Sequence, residues 1–273
     1  MNLEILKWVQ SFHHPVLDQW FLGITLLGEE TFVLVLFAFL YWILDKELAK
    51  RVVYVYFLSL MINHGLKSLF AVPRPVGLEG IRSLRTHTAT GYAFPSGHTQ
   101  GVSALFFSLS ASVKSRGLTV VAVVLVALVA LSRVYLGLHW PTDVLGGAVA
   151  GLGVVWLGLG SFKKARGILA VLFSLVLAGY LVQGEAHLLQ LAGILAGYLL
   201  GELFERKRVD FSNHRVPWLN VLRLLTGLIG MVVLKEGLKV FYLESHFLDS
   251  LRYGIVTFYA MGLMPWIIKR LNI

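Results

Sequence analysis

Long apolar segments recur along the whole chain and constrain its fold more than any other feature. Five of them run through residues 31–44, 119–131, 144–157, 168–182 and 219–234. A soluble domain has no use for so many, and the mean hydropathy of +0.74 is far above that of soluble domains. A bilayer is crossed by about 20 mostly apolar residues per helix. The sequence therefore predicts an all-α fold, a polytopic bundle of membrane helices.

The breaks between the apolar segments predict eight or nine spans. The expected spans are residues 31–45, 50–70, 97–113, 118–137, 142–161, 167–183, 187–203, 219–241 and 250–268. Ahead of them, residues 1–12 place apolar side chains among Glu4, Lys7 and Gln10. This pattern predicts an amphipathic helix at the membrane interface. The segment lacks the layout of a cleavable signal peptide.

Charge and cysteine content exclude several classes of function. The net charge is +9, but Lys and Arg lie in short clusters between spans and form no long basic stripe, so we expect no nucleic-acid partner. The chain has no cysteine, which excludes disulfides, thiolate metal sites and a cysteine nucleophile.

The basic clusters also predict an orientation. Clusters in residues 45–51, 114–116, 163–166, 205–215 and 269–270 all fall on one face of the predicted bundle, which is cytoplasmic by the positive-inside tendency. Three polar segments then lie on the opposite face, where this tendency gives no reason for cations. These three segments are therefore the candidates for a functional site.

The first polar segment holds two cations close together. Lys67 ends a span, and Arg74 follows between Pro73 and Pro75. Each proline fixes its own φ and restricts the preceding residue. Alternatively, both cations are anchors that reach lipid headgroups.

The second polar segment has the form of a helix N-terminus. Pro95, Ser96, Gly97 and His98 precede an apolar helix, and Ser96 is a suitable N-cap. Free backbone N–H groups and the positive end of the helix dipole make such a turn an anion site, and Gly97 lets a phosphate approach. Alternatively, the turn only starts a helix and His98 only lies at the interface.

The third polar segment combines a cation with a histidine and a carboxylate. Ser132 and Arg133 close one span, and His139 stands just before Pro141, a residue favoured at a first helical position. Asp143 follows one turn later, so its carboxylate can accept from one imidazole nitrogen and leave the other free to attack. Alternatively, the two residues form a structural pair between helices.

Together the three segments contain what phosphoryl transfer requires. They supply three cations, oriented donors, two histidines and one carboxylate at one membrane face. Fixed cations and donors stabilise the charge that spreads over the phosphoryl oxygens. Too few carboxylates are present for a two-metal mechanism, so we expect no metal or other cofactor.

These residues resemble the type 2 phosphatidic acid phosphatase family, which shares its site with vanadium haloperoxidases. The family motifs are K-x6-R-P, P-S-G-H and S-R-x5-H-x3-D, and every defined position is matched. The matching residues are Lys67, Arg74, Pro75, Pro95, Ser96, Gly97, His98, Ser132, Arg133, His139 and Asp143. The resemblance covers residues 67–143 directly.

The resemblance implies a role for each motif residue. His139 is the implied nucleophile that forms a phosphohistidine, Asp143 orients it, and His98 protonates the leaving alkoxide and later activates water. The implied ligands of the phosphoryl oxygens are Lys67, Arg74, Ser96, Gly97 and Arg133. The family is metal-independent and generally sensitive to vanadate.

The resemblance also implies a division of the chain and a location. We expect an interfacial segment in residues 1–30, a phosphatase bundle of about six helices in 31–165, and additional membrane helices of unknown role in 166–273. The expected location is a bacterial cytoplasmic membrane with the site on the extracytoplasmic side. The expected partners are the bilayer and a lipid phosphate.

The sequence leaves the substrate open. Phosphatidate, phosphatidylglycerol phosphate, an isoprenyl diphosphate and a sphingoid-base phosphate all fit a charged site at the bilayer surface. The candidate headgroup contacts are Arg82, Arg85 and His87. Alternatively, these three are only solvated loop residues.

Three other functions each account for part of the sequence. A lipid phosphotransferase shares the first half-reaction. A transporter explains many spans, and the charges at Lys235, Glu236 and Lys239, but it leaves the triple motif unexplained. A haloperoxidase of the soluble kind does not fit so hydrophobic a chain.

Overall fold

Every predicted span is helical in this computed structural model, which describes residues 1–184, 186–213, 217–241 and 245–271. These residues contain no strand, and the predicted all-α fold is confirmed. The helices are α1 (Asn2–Ser11), α2 (Pro15–Thr25), α3 (Glu30–Phe39), α4 (Lys46–Phe70), α5 (Gly97–Val113), α6 (Arg116–Tyr135), α7 (Pro141–Ser161), α8 (Ala165–Gln183), α9 (Ala186–Phe204), α10 (Pro217–Gly237), α11 (His246–Phe258) and α12 (Met264–Leu271).

The number of helices that can cross a membrane is smaller than predicted. Among the described residues, six are long and apolar enough, or seven if the bent pair Pro15–Gly28 and Glu30–Leu44 counts as one span. Two features account for the difference from the expected eight or nine. Helix α5 has 17 residues, at the short end of the range of about 17–25 residues that cross a bilayer. Residues Pro141–Leu181 form one 41-residue run of helix where two spans were expected.

The chain divides into two compact units. The first contains Met1–Leu34 and Lys50–Phe162, and the second contains Val35–Ala49 and Lys163–Ile273. All three polar segments predicted to carry chemistry belong to the first unit. The functional division at residues 30 and 165 stays a prediction.

Helices α5 and α7 pack at backbone distance in the first unit because α7 presents glycines to α5. A Cβ atom at Gly147 would lie 2.7 Å from the Ser96 carbonyl oxygen, and one at Gly151 would lie 2.5 Å from Cβ of Ser103. Small residues permit this kind of approach between membrane helices. The contact fixes the start of α5 against the start of α7, and both starts carry motif residues.

The N-terminal helices are integrated into the first unit. Residues 2–11 are helical as predicted, but Leu6 is fully buried, and the Gln10 side chain bonds both the amide and the carbonyl of Arg82. On α2, Phe21 packs against Tyr135, with ring centroids 4.3 Å apart. The other side of α1 exposes Trp8 and Phe12, which suits a helix at the membrane interface.

The second unit contains charged contacts between its own segments. Lys46 bonds Glu205 and Asp210 at 3.0 and 2.7 Å, and Arg166 is paired with Glu202 at 2.7 Å. Pairing lowers the energetic cost of charged groups in a membrane protein. These contacts hold the unit together.

Two predictions about charged segments fall in this unit. The polar connection predicted over residues 205–217 begins as helix, because a π-turn, Glu205–Val209, continues α9, while residues 214–216 lie outside the described residues. Near the end of α10, Glu236 forms an ion pair with Lys239 at 2.6 Å. These are two of the three charged residues that a transporter would have explained.

The α5–α7 contact gives a matched test of packing. Gly151→Ala should destabilise the protein by about 1–3 kcal/mol, because its Cβ would also lie 2.8 Å from the Gln100 carbonyl oxygen. Gly153→Ala, on the same helix with nothing within 4 Å, should leave stability unchanged or slightly raised. The midpoint of thermal unfolding in detergent measures both, and equal midpoints would contradict the close approach.

Candidate active site

The three motif segments meet at one end of the first unit. Helices α4 and α6 end there, and α5 and α7 begin there. A cavity of about 460 Å³ lies at this end, and its lining includes Lys67, Arg74, Gly97, His98 and His139. Lys114 and Arg116 lie at the opposite ends of α5 and α6, as the charge pattern predicts. The structure thus brings together residues up to 72 positions apart in the sequence.

His139 is held by the start of α7. Its Nδ1 lies 3.3 Å from Oδ2 of Asp143, and the same oxygen accepts the Trp140 amide at 2.7 Å. Pro141 begins the helix, so Asp143 in the first turn faces back toward the preceding loop. Both side chains are 1% exposed. The carboxylate therefore fixes the orientation of the imidazole ring.

The other ring nitrogen of His139 faces the cations. Its Nε2 lies 2.9 Å from Nη1 of Arg74. A guanidinium only donates, so Nε2 is the acceptor and the ring hydrogen lies on Nδ1, where it is donated to Asp143. Burial, followed by the charge of Arg74, holds the pKa of His139 well below its usual range. The imidazole is therefore neutral near pH 7, with a lone pair on Nε2.

Arg74 and Lys67 are held by backbone oxygens. Arg74 donates to the carbonyls of Thr90, Gly91 and Leu138 at 2.7, 2.9 and 2.9 Å, and Lys67 donates to the carbonyl of Tyr92. Carbonyl oxygens orient a cation without neutralising its charge. Burial lowers the pKa of Arg74 to about 10, so it is still protonated near neutral pH.

Arg133 is held by hydroxyl groups. Its Nη1 donates to Thr25 at 2.9 Å, and both terminal nitrogens lie 3.3 Å from Oγ1 of Thr88. The side chain is fully buried, and its Nε has no hydrogen-bond partner among the described residues. Burying a charged group in this way costs stability, and such a group in a membrane protein indicates a function.

The Ser96 turn starts α5 at the cavity. Ser96 is the N-cap, as predicted, but its side chain makes no capping bond; its hydroxyl accepts instead from Thr99 Oγ1 at 3.1 Å. The first helical bond runs from the Gln100 amide to the Ser96 carbonyl, so the amides of residues 97–99 precede it. The Ser96 amide donates to the Asp143 carbonyl at 2.9 Å and ties this turn to α7.

His98 lines the cavity beside this turn. Its Nε2 is buried and has no hydrogen-bond partner in the described part of the chain. On the other side its ring meets Gly28, where a Cβ atom would lie 2.8 Å from both Cβ and Cδ2 of His98. The ring is confined by packing, and one nitrogen remains available to a ligand.

The loop residues predicted to contact a headgroup divide into two kinds. Arg82 forms a bidentate pair with Asp18, both distances being 2.6 Å, and Arg85 forms one with Glu29 at 2.8 and 2.9 Å. These pairs anchor the loop to α2 and to the start of α3. Of the three candidates, His87 alone lines the cavity. The geometry therefore favours a headgroup contact only for His87.

Sequence reasoning missed a set of supporting residues. Asn63 donates to the Pro95 carbonyl and to Gln100, at 3.2 and 2.9 Å, and Gln100 donates to the Ser59 carbonyl. Asn63 stands four residues before Lys67 on α4, and this i,i+4 spacing is the one signal that places it beside the motif. The contacts tie α4 to the turn that carries Gly97.

Comparisons with known proteins show the family of this chain. A model of the PAP2 superfamily matches residues 48–167, and a model of the PAP2 superfamily phosphatase transmembrane extension matches residues 189–273. The undecaprenyl-diphosphatase BcrC of Bacillus subtilis is 32% identical over 158 residues, which cover 56% of this chain and 79% of that protein. The chain belongs to the PAP2 superfamily.

Other relatives of this PAP2 chain differ in size and in named substrate. Mouse sphingosine-1-phosphate phosphatase 2 is 34% identical over 130 residues, which are 45% of this chain and 36% of that protein. The chain thus spans about a third of that relative's length. The crystal structure of Aquifex aeolicus LpxE has a TM-score of 0.52 and 27% identity, and covers 58% of this chain and 94% of its own.

The state of His139 in the PAP2 site can be measured directly. We expect ¹⁵N NMR of imidazole-labelled protein in detergent to show one histidine that stays neutral, with its hydrogen on Nδ1, well below pH 6.5, because burial and Arg74 lower its pKa. Arg74→Gln should raise this pKa toward 6.5, whereas Arg74→Lys, which keeps the charge, should raise it less.

His139→Gln assigns the signal among the nine histidines of the chain. A His139 signal that titrates near its ordinary pKa in the wild type would contradict the buried, cation-flanked environment.

Proposed function

We propose that the chain is a membrane phosphatase that removes phosphate from a lipid through a phosphohistidine at His139. The observation that carries the proposal is the position of His139 Nε2, a neutral ring nitrogen 2.9 Å from a guanidinium at a cavity, with Nδ1 on a carboxylate. A nucleophile held by an orienting group beside fixed cations is the arrangement that covalent phosphoryl transfer requires.

The first half-reaction forms the phosphohistidine. Nε2 of His139 attacks phosphorus, and the bond from phosphorus to the leaving oxygen breaks. His98, protonated in the substrate complex, donates its proton to that oxygen, so a monophosphate lipid leaves as an alcohol and a diphosphate lipid leaves as the lipid monophosphate. Asp143 accepts a hydrogen bond from Nδ1–H and stabilises the positive ring that forms.

The second half-reaction restores the enzyme. His98, now neutral, accepts a proton from water, and the water oxygen attacks phosphorus. The bond between phosphorus and Nε2 breaks, and inorganic phosphate leaves. The same histidine thus acts as acid in one step and as base in the next.

The cations stabilise the charge that develops in both steps. Lys67 and Arg74 line the cavity, and Arg133 lies behind it. The amides at the start of α5 add donors and the positive end of a helix dipole. Because these groups are already held in place, they need little reorganisation when the substrate reacts.

The proposed substrate is a lipid whose tail remains in the bilayer. Three relatives bear the names undecaprenyl-diphosphatase, lipid A 4'-phosphatase and sphingosine-1-phosphate phosphatase, so the superfamily acts on phosphates carried by lipids of several classes. Phosphatidate, phosphatidylglycerol phosphate, isoprenyl diphosphates and sphingoid-base phosphates are the candidates to test.

The assay is phosphate release from a panel of these lipids by purified protein in detergent with EDTA. We expect release from at least one lipid, inhibition by vanadate, and a loss of at least about 10³-fold in His139→Ala, because the nucleophile is removed. His246→Ala, which alters an exposed histidine of the second unit, should keep full activity.

Acid-labile phosphate on the protein after rapid quenching would mark the intermediate, and its persistence in His139→Ala would refute the nucleophile. Transfer of labelled phosphate to a second lipid without release of free phosphate would identify a phosphotransferase instead.

We also propose that the site faces the extracytoplasmic side, since basic residues cluster at the other end of the first unit. The cysteine-free chain permits a direct test. Glu79→Cys, in the exposed loop on the site side, should react with a membrane-impermeant maleimide in intact cells. Arg116→Cys, at the start of α6, should react only after permeabilisation. The reverse pattern would overturn the orientation.

A further inference from the structure

One wall of the cavity takes no part in the proposed mechanism. It is formed by Gly28–Thr31, at the start of α3, and by Tyr56 on α4. This wall carries two carboxylates, Glu29 and Glu30, in a cavity whose other charges are positive. A carboxylate repels a phosphate, so its presence there needs a separate explanation.

Glu30 differs from the other acidic residues near the site. Asp18 is paired with Arg82, Glu29 with Arg85, and Asp143 with His139. Glu30 has no ion pair or hydrogen bond with any described residue, and it remains exposed in the lining. Its charge is therefore available to a ligand.

Tyr56 supplies a neutral oxygen to the same wall. Its side chain is 8% exposed and packs against α5, where a Cβ atom at Gly101 would lie 3.2 Å from Cε2. No described residue forms a hydrogen bond with its hydroxyl, and Tyr56 is part of the cavity lining. A hydroxyl oxygen and a carboxylate together are suitable acceptors for an ammonium group.

The acidic wall lies close to the reacting phosphate. Gly28 contacts the ring of His98, the proposed acid for the leaving oxygen. Glu30 follows two residues later, so the Cα atoms of Gly28 and Glu30 are at most about 7 Å apart. This separation is short enough for Glu30 to reach a group one or two carbons from the leaving oxygen.

We propose that Glu30, with the Tyr56 hydroxyl, binds an ammonium group next to the phosphate-bearing carbon, so that this enzyme prefers amine-bearing lipid monophosphates. The preference rests on the proposed phosphatase function and deepens it. Lys67 and Arg74 bind the phosphate, and Glu30 recognises the group on the carbon next to the one that bears the phosphate. Glu30 is a specificity-determining residue and takes no part in the chemical steps.

A simpler role for Glu30 makes a different prediction. An acidic residue in the first turn stabilises a helix through its dipole, and Glu30 begins α3. In that case Glu30→Gln would lower the stability of the protein and would affect all substrates alike. A binding role predicts instead that discrimination between substrates changes.

Three probes separate these roles: sphingosine 1-phosphate, its N-acetyl derivative, which lacks the positive charge, and lysophosphatidate, which has a hydroxyl group in place of the amine. We expect Glu30→Gln to lower kcat/KM for sphingosine 1-phosphate by about tenfold, the effect of losing one charged contact at a partly exposed site. The other two substrates should change less than about twofold. Glu79→Gln, a loop acid outside the cavity lining, is the matched control and should change none of the three.

Binding provides a readout that does not depend on turnover. In a His139→Gln background, calorimetry should show Glu30→Gln weakening sphingosine 1-phosphate by about tenfold while leaving the N-acetyl derivative unchanged. An equal effect of Glu30→Gln on all three lipids, or none on any, would overturn the ammonium subsite. Failure of the wild type to release phosphate from any lipid would instead refute the phosphatase, and the binding data would still decide the role of Glu30.

Discussion

The site depends on positive charge that is buried without being neutralised. Arg74, Lys67 and Arg133 donate hydrogen bonds to carbonyl and hydroxyl oxygens, which orient them and carry no formal negative charge. Arg82 and Arg85, in the same loop region, are instead held by carboxylates. If carboxylates also held Arg74, Lys67 and Arg133, the loop would be stable but the site would not attract phosphate. Burying cations in this way costs stability, and a bound phosphate would recover that cost.

The same arrangement sets the state of the proposed nucleophile. A cation beside Nε2 disfavours the protonated ring, and Asp143 at Nδ1 fixes which nitrogen carries the hydrogen. The two effects are separable, because one acts on the pKa and the other on the tautomer. Since Asp143 lies in the first turn of α7 and Arg74 between two prolines, the geometry comes from backbone elements that have little freedom.

The sequence predicted the helices and the motif residues because both leave local patterns. Predicted span 97–113 coincides with α5, and apolar runs mark the others within a few residues. The supporting contacts leave no such pattern. Gly28 against His98, Thr25 on Arg133, and Asn63 on the Pro95 carbonyl join segments 32 to 108 residues apart. The burial of Leu6 was missed for the same reason, since an amphipathic pattern does not tell whether a helix faces protein or lipid.

Residues that line or support the proposed site come from inside and from outside the part of the chain that the family model matches. All residues proposed to act on phosphorus lie within residues 48–167, the part that the PAP2 model matches. Thr25, Gly28 and Glu30 come from the segment before it, yet they contact Arg133, contact His98 or line the same cavity. A change in that segment alters what lies beside the phosphate without moving the nucleophile, which is fixed by α7. If Glu30 selects the substrate as proposed, a change in the N-terminal helices alters substrate preference while the three motifs of this chain stay intact.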